Sequence, residues 1–244
     1  MRIFFGLMVL LFSATAFAQK VDWSLYEKLL TDHVSQGVIN GTSLAVVDYE
    51  AVKRDEAYSE LVAQLAKFDV NQLTTKEEKL AFYINAYNVF AIKMVLDHWP
   101  VESIRDIGSF FSPVWKKTVG TLAGKAVTLD EIEHKIIRPM GEPRIHFAIV
   151  CASVSCPDLL NEPFHAERLN EQLDRQTKAF LANDVKGLRV KGDEIQVSKI
   201  FDWFEEDFDK SGGIASFVRS YRPELPKGYD VEAELDYDWS LNRR

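Results

Sequence analysis

The chain has 244 residues with two cysteines, 47% hydrophobic and 12% aromatic content, and a formal net charge of −8. That length and apolar content suffice for one sizeable core without a dense disulfide framework. The acidic balance argues against nucleic acid or an anionic membrane surface as partner, because both select basic surfaces.

The N-terminus reads MRIFFGLMVLLFSATAFAQK. Arg2 gives a positive start, Ile3 to Phe12 an apolar run, and Ala16-Phe17-Ala18 a small-x-small cleavage site before Gln19. This is the pattern of a secretory signal peptide. The apolar run is shorter than the about 20 residues that a membrane-spanning helix needs. Residues 1–18 are therefore expected to be removed. Residues 19–244 remain as a single exported domain, periplasmic or extracellular, with no membrane span. In that oxidising setting an even cysteine count makes a disulfide the default expectation.

Residues 22–35 carry apolar side chains at 25, 26, 29, 30 and 34, the spacing of an amphipathic helix. Thr42 to Asp48 reads as a strand, followed by a helix from about Ala51 to Phe68. Thr75 and Glu78 form a capping box, and Pro100 lies beyond the far end. The helix between them is apolar almost all round, which marks it as the buried centre of the fold. A hairpin around Ala123-Gly124 leads to a second capping box, Thr128 with Glu131, and the helix LDEIEHKIIR. Arg144 to Cys151 reads as a short apolar strand. A helix from about His165 to Asn183 precedes the hairpin GLRVKGDEIQVS, two short helices (201–208 and 213–221) and the terminal segment VEAELDYDWSLN. The order predicts an α+β fold: one domain of several helices around a long buried central helix, with a small, mostly antiparallel sheet.

Three groups of residues are candidates for chemistry. Asn85 and Asn88 in FYINAYN lie i, i+3 on a helix with little polar face to spare. A buried amide without partners costs about 1–3 kcal/mol, so both side chains must be bonded. They either anchor a neighbouring loop or line a cleft and orient a substrate. Tyr87, between them, and Arg144 are the further candidates for substrate contact. In EIEHKIIRP, Glu133 falls within the stripe Leu129, Ile132, Ile136 and Ile137, whereas His134 falls off it. A carboxylate on an apolar face needs a cation or several donors, and Arg144, Arg105 and His146 are the candidates.

The third group is RIHFAIVCASVSC, residues 144–156, which holds both cysteines and His146. Cys-x4-Cys is not the usual zinc spacing and no second pair follows, so neither a metal nor a cofactor is expected. Thiol–disulfide pairs favour Cys-x-x-Cys. If 144–151 is a regular strand, His146 and Cys151 have opposite parity and point apart, with the five steps spanning roughly 16 Å. A base for Cys151 then comes from His134, His98, His165 or His33, unless a bulge turns His146 back. The stretch ASVS has no glycine or proline to ease a turn bringing Cys156 to Cys151.

The blocks FYINAYN, VESIRDIG, TLDEIEHKIIRP, PRIHFAIVCASVSCP and YDWSLN, in that order, resemble the family catalogued as domain of unknown function 547. The resemblance runs from about Leu80 to Asn242 and implies an exported bacterial member. It carries no settled activity. In the family pattern the position of Cys156 can be serine while that of Cys151 is cysteine, which implies a role for Cys151 independent of a disulfide. Papain- and transglutaminase-like thiol enzymes offer a fold-level analogy, but they place the cysteine at a helix N-terminus, where FYINAYN has none. The functional expectation is a thiol-dependent hydrolase or acyltransferase acting on envelope peptides or amides. Cys151 is its nucleophile, with Glu133, His134 and His146 as the candidate catalytic partners. The competing readings are a non-catalytic module binding a peptide, amide or glycan, and a thiol–disulfide protein.

Overall fold

The computed structural model describes residues 20–109 and 111–244. The expected signal peptide lies outside the described residues. Asp22 opens helix α1 (Trp23–His33) by accepting from Ser24 N at 3.0 Å. The chain then enters strand β1 (Val34–Ile39), antiparallel to β2 (Thr42–Val47). The turn between them is Asn40-Gly41, both at positive φ (50° and 80°), as a two-residue hairpin requires. β1 was not expected, because VSQGVI has no clean alternation and its side chains are largely unburied.

The single helix expected over 51–68 is two, α2 (Tyr49–Arg54) and α3 (Glu56–Lys67). Asp48 and Asp55 each cap one of them, on Ala51 N and Ala57 N (both 2.9 Å). Asp55 therefore ends one helix and starts the next.

Helix α4 (Lys76–Asp97) is the centre of the fold. Its capping box is formed in full: Glu78 N donates to Thr75 Oγ1 (3.1 Å), and Thr75 N donates to the Glu78 carboxylate (2.9 Å). Beyond the first turn, Leu80 to Leu96 are buried on nearly every side, as the unbroken apolar run demanded. The antiparallel hairpin β3 (Thr118–Leu122) and β4 (Lys125–Thr128) turns at Ala123-Gly124, which hang from α3 through Leu65 O and Ala66 O. After the Thr128–Glu131 box the expected helix winds as a π-helix over Glu131–Ile137.

Residues 144–151 are not a strand. Pro143–Phe147 is a 3₁₀ helix, started by Pro143 and by the Glu142 carboxylate accepting from Arg144 N (3.2 Å). Ile145 to Val150 are all buried, so the run has no polar face to reveal its period, and periodicity alone cannot separate buried helix from buried strand.

Helix α5 (Leu169–Ala182) leads to β5 (Leu188–Lys191) and β6 (Glu194–Ser198), an antiparallel pair. Helices α6 (Ile200–Trp203) and α7 (Ile214–Tyr221) follow, separated by a 3₁₀ stretch, Glu205–Ser211. β7 (Asp230–Leu235) then adds parallel to β6. The α+β architecture holds, with the strands of the described residues in three small sheets rather than one, mostly antiparallel.

Two main apolar clusters make the core of the described residues, beside a small third one of Leu44, Val46 and Val154. The larger surrounds α4; the smaller holds Phe147, Phe180, Phe201, Phe208 and Phe217 beneath the last sheet. Segment 143–150 runs along their seam, with Ile145 and Ala148 in the first cluster and Phe147 in the second. No helix among the described residues is long and apolar enough to cross a membrane.

Candidate active site

Asn88 positions the cysteine-bearing segment from the central helix. Its Nδ2 donates to Ala148 O and its Oδ1 accepts from Val150 N, both at 2.9 Å. Asn85 makes the same double contact one turn earlier, donating to Phe164 O (2.9 Å) and accepting from Phe164 N (2.8 Å). Both amides are fully engaged with backbone, and neither side chain reaches the cavity described below. Of the two readings of this pair, the loop anchors are the ones the structure brings together. Arg144 is also away from the cavity. It forks onto Glu142 and reaches Asp174 at 2.8 Å, joining the 3₁₀ helix to α5.

Beyond Val150 the chain turns sharply at Ala152, which sits at φ 62°, the left-handed region that costs a non-glycine residue about 1–2 kcal/mol. The turn brings Cys156 Sγ to 2.8 Å from Cys151 N, yet both thiols are free. The disulfide suggested by the even count is not formed. The lack of glycine in ASVS did not prevent the turn, because backbone bonds to the C-terminal segment hold it. Asn242 N donates to Ala152 O, Val154 N to Ser240 O and Ser155 N to Asp238 O, at 2.9–3.1 Å. The same pairing carries Tyr237 to the thiol.

Cys151 Sγ lies 2.9 Å from Ser153 Oγ and 3.2 Å from the Tyr237 hydroxyl. The enclosing wall pushes the thiol pKa up, but hydrogen bonds from Cys156, Ser153 and Tyr237 outweigh it and bring Cys151 down to about 7. Cys156, buried beside that charge, is pushed well up. Donors converging on sulfur favour the thiolate, the reactive form.

A cavity of about 150 Å³ opens on Cys151, and Tyr87, Glu133, His134, His146, Phe204 and Tyr237 stand in its wall. His146 is there because the segment is 3₁₀ and turned, not extended; the parity argument against it fails with the strand. The residue is 3% exposed and its ring stacks on Phe204, centroids 4.1 Å apart. Asp207 Oδ2 lies 2.6 Å from His146 Nε2. Two hydrogen bonds from Arg138, from Nε (2.6 Å) and Nη2 (3.1 Å), steady that carboxylate. Burial pushes Asp207 up, but the bonds from His146 and Arg138 hold it well below the usual carboxylate range. Asp207 is therefore ionised and can only accept, so Nε2 carries the proton. That leaves Nδ1 as the basic nitrogen, and it is buried without a hydrogen-bond partner among the described residues. Burial lowers the His146 pKa, keeping the ring neutral.

Glu133 is half-buried, its carboxylate in the cavity wall, and among the described residues no cation pairs with it. Arg144 and His146 are paired elsewhere, and Arg105 lies over the Trp239 ring. Its partner is the Tyr87 hydroxyl, which donates to Oε2 at 3.2 Å. Burial raises the Glu133 carboxyl to about 7, with Tyr87 pulling the other way and Cys151 adding to the rise. His134 is exposed at the rim, where Arg138 Nη1 approaches its Nδ1 at 2.8 Å. His33 is paired with Asp55, and His98 with Met94 O. Neither they nor His165 line the cavity.

Residues 70–181 match the family model described as Protein of unknown function, DUF547. Over those residues the chain is similar to the DUF547 family. No curated protein and no solved structure matches it. The match begins before Leu80 and ends well short of Asn242, the bounds of the stretch that carries the resemblance. It contains Tyr87, Glu133, His134, His146 and Cys151, whereas Asp207, Trp203, Tyr237 and Trp239 follow it. Sequence spacing does not single out those later residues as site components. Asp207 is one of five acids in FDWFEEDFD with no distinguishing signal, while the block YDWSLN carries no role legible from sequence. Among the described residues, no group of three or more His, Cys, Asp or Glu side chains is placed to hold a metal ion.

Proposed function

We propose that this protein is a thiol-dependent hydrolase or acyltransferase acting on peptide or amide bonds. The observation that carries the reading is the cavity holding both Cys151, ringed by hydrogen-bond donors, and His146, whose Nε2 is committed to Asp207. A nucleophile, a base with its lone pair free and a carboxylate orienting that base are the parts that nucleophilic acyl transfer needs. Apo sites often leave nucleophile and base unbonded until substrate enters.

In this mechanism His146 Nδ1 takes the Cys151 proton and Asp207 stabilises the resulting imidazolium. The thiolate attacks the carbonyl carbon, forming the C–S bond. The C–N bond then breaks, and the leaving nitrogen takes the proton from His146. Water, or a second amine in a transferase, gives its proton to His146 and attacks the thioester carbon. The C–S bond breaks and Cys151 leaves as thiolate. Glu133, protonated up to about pH 7, supplies a donor on the cavity wall for the oxygen that gains charge. The signal-peptide pattern of residues 1–18 supports export, and hence substrates of the cell envelope.

Acylation by p-nitrophenyl acetate tests the reading, since its acetyl group suits so small a cavity. Intact-mass and peptide mapping should find the acetyl group on Cys151, and its hydrolysis, the step in which water must lose a proton, should slow about 10²–10⁴-fold in His146→Ala. Equal deacetylation of Cys151 in the variant, or no acylation in the parent, would refute it.

A further inference from the structure

The thiol cavity is too small for most of a peptide. At about 150 Å³ it matches the volume known to accept one benzene-sized group, so the remainder of any larger substrate must lie outside it. A second, wider cavity of about 880 Å³ adjoins it, and the two share Trp115, Trp203 and Trp239 as walls. These rings form one aromatic surface. Trp203 and Trp239 stack at 5.5 Å, and Trp115 sits 6.4 Å from Trp239.

Arg105 stands at the wider end, its guanidinium 5.0 Å above the Trp239 ring. Among the described residues no carboxylate lies within ion-pair distance of it and its side chain makes no hydrogen bond. Arg138, Arg144, Arg168, Arg175, Arg222 and Arg243, by contrast, each hold an acid. The neighbouring Asp106 is committed to capping Ser103 N at 3.0 Å. A planar fork of five donors, placed over an aromatic face and without an acceptor among the described residues, suits a carboxylate. The thiol end is the opposite in character, with Asp130 and Glu133 in its wall.

We infer that the substrate carries a carboxylate on the part that lies across Trp115, Trp203 and Trp239, and that Arg105 binds it while the scissile amide sits at Cys151. This deepens the proposed acyl-transfer reading and rests on it for the position of the amide. Arg105 is thus a specificity residue, selecting acidic peptide-like amides over neutral ones.

Tryptophan fluorescence of the purified full chain reads occupancy of this surface without using the thiol. Three ligands are titrated: N-acetyl-Ala-Ala, its C-terminal amide, and N-acetyl-Glu-Ala amide. One or both acidic compounds should bind about tenfold or more tighter than the neutral amide, as one charge-assisted contact implies. Which of them does so tells a chain terminus from a side chain as the source of the carboxylate. Arg105→Gln should erase the difference and Arg105→Lys restore part of it, with thermal melting confirming that both variants are folded. Equal affinity for all three, no saturable binding by any, or discrimination that survives Arg105→Gln would overturn the inference. Absence of acyl transfer to Cys151 would instead refute the mechanism and leave the fluorescence result standing.

Discussion

Replacing Asn88 by alanine removes the two contacts that fix the backbone just ahead of the nucleophile. Both were 2.9 Å bonds from a side chain that is 2% exposed, made to groups in a buried stretch. The substitution leaves the Ala148 carbonyl and the Val150 N–H without partners or water. Each such orphan costs about 1–3 kcal/mol, so the pair costs about 2–6 kcal/mol. With a urea m-value of about 2–3 kcal/mol/M, a loss near the middle of that range lowers the denaturation midpoint by about 1 M or more. Asn85→Ala is the matched control, because it strips an equivalent pair of bonds from Phe164, remote from the thiol. Its stability loss should be similar. Only Asn88→Ala should also change the alkylation rate of Cys151 in the folded protein. A cost below about 1 kcal/mol for Asn88→Ala, or equal effects of the two variants on Cys151, would refute the anchoring argument.

Three further outcomes follow from the same geometry. The Glu133 carboxyl rises from its ordinary 4.5 to about 7 on folding, so between those values the unfolded chain releases the proton first and stability falls as pH rises. Glu133→Gln should abolish that slope and stabilise the protein by about 3 kcal/mol above pH 7, read from urea melts across pH; a variant less stable than the parent at pH 8 would contradict it. Lys186 is buried and its Nζ holds Asp158 (2.6 Å) and the Cys156 carbonyl (2.9 Å). Lys186→Met should cost about 3 kcal/mol, the low end for a broken buried pair because Asp158 keeps some solvent, and an unchanged midpoint would show the pair to be idle. Tyr237→Phe removes one donor to the thiolate and should raise the Cys151 pKa by about 1 unit or more, measured by alkylation against pH; an unmoved profile would remove Tyr237 from the site.

The parts of the fold that announced themselves were those with local chemistry. Two capping boxes, an α4 apolar all round and two hairpins with recognisable turns are each set by residues within a few positions of one another. Glu133 belongs with them in part, since the stripe it shares with Ile132 and Ile137 turns it inward and leaves it half-buried. The site itself depends on long-range pairing. His146 joins Cys151 only because a wholly buried run folds as 3₁₀ helix and turn, a choice that Glu142 and Pro143 hint at and the apolar residues conceal. Asp207, Tyr237 and the three tryptophans arrive from distant segments. Tyr237 and Trp239 come with the C-terminal segment whose backbone bonds to Val154 and Ser155. No spacing rule links residue 151 to residue 237. Arg144 and Arg105 were equal candidates for Glu133 in sequence, and the structure gives one to Glu142 and Asp174 and the other to the face of Trp239.

The central claim is that the fold makes Cys151 a thiolate near neutral pH, and iodoacetamide alkylation followed by mass spectrometry of the Cys151 peptide tests it directly. The rate should rise through a midpoint near pH 7, with Cys156 unreacted over the same range because burial beside Cys151 pushes its pKa up. A Cys151 midpoint at or above the ordinary thiol value of about 8.5, or faster labelling of Cys156 than of Cys151, would contradict the account.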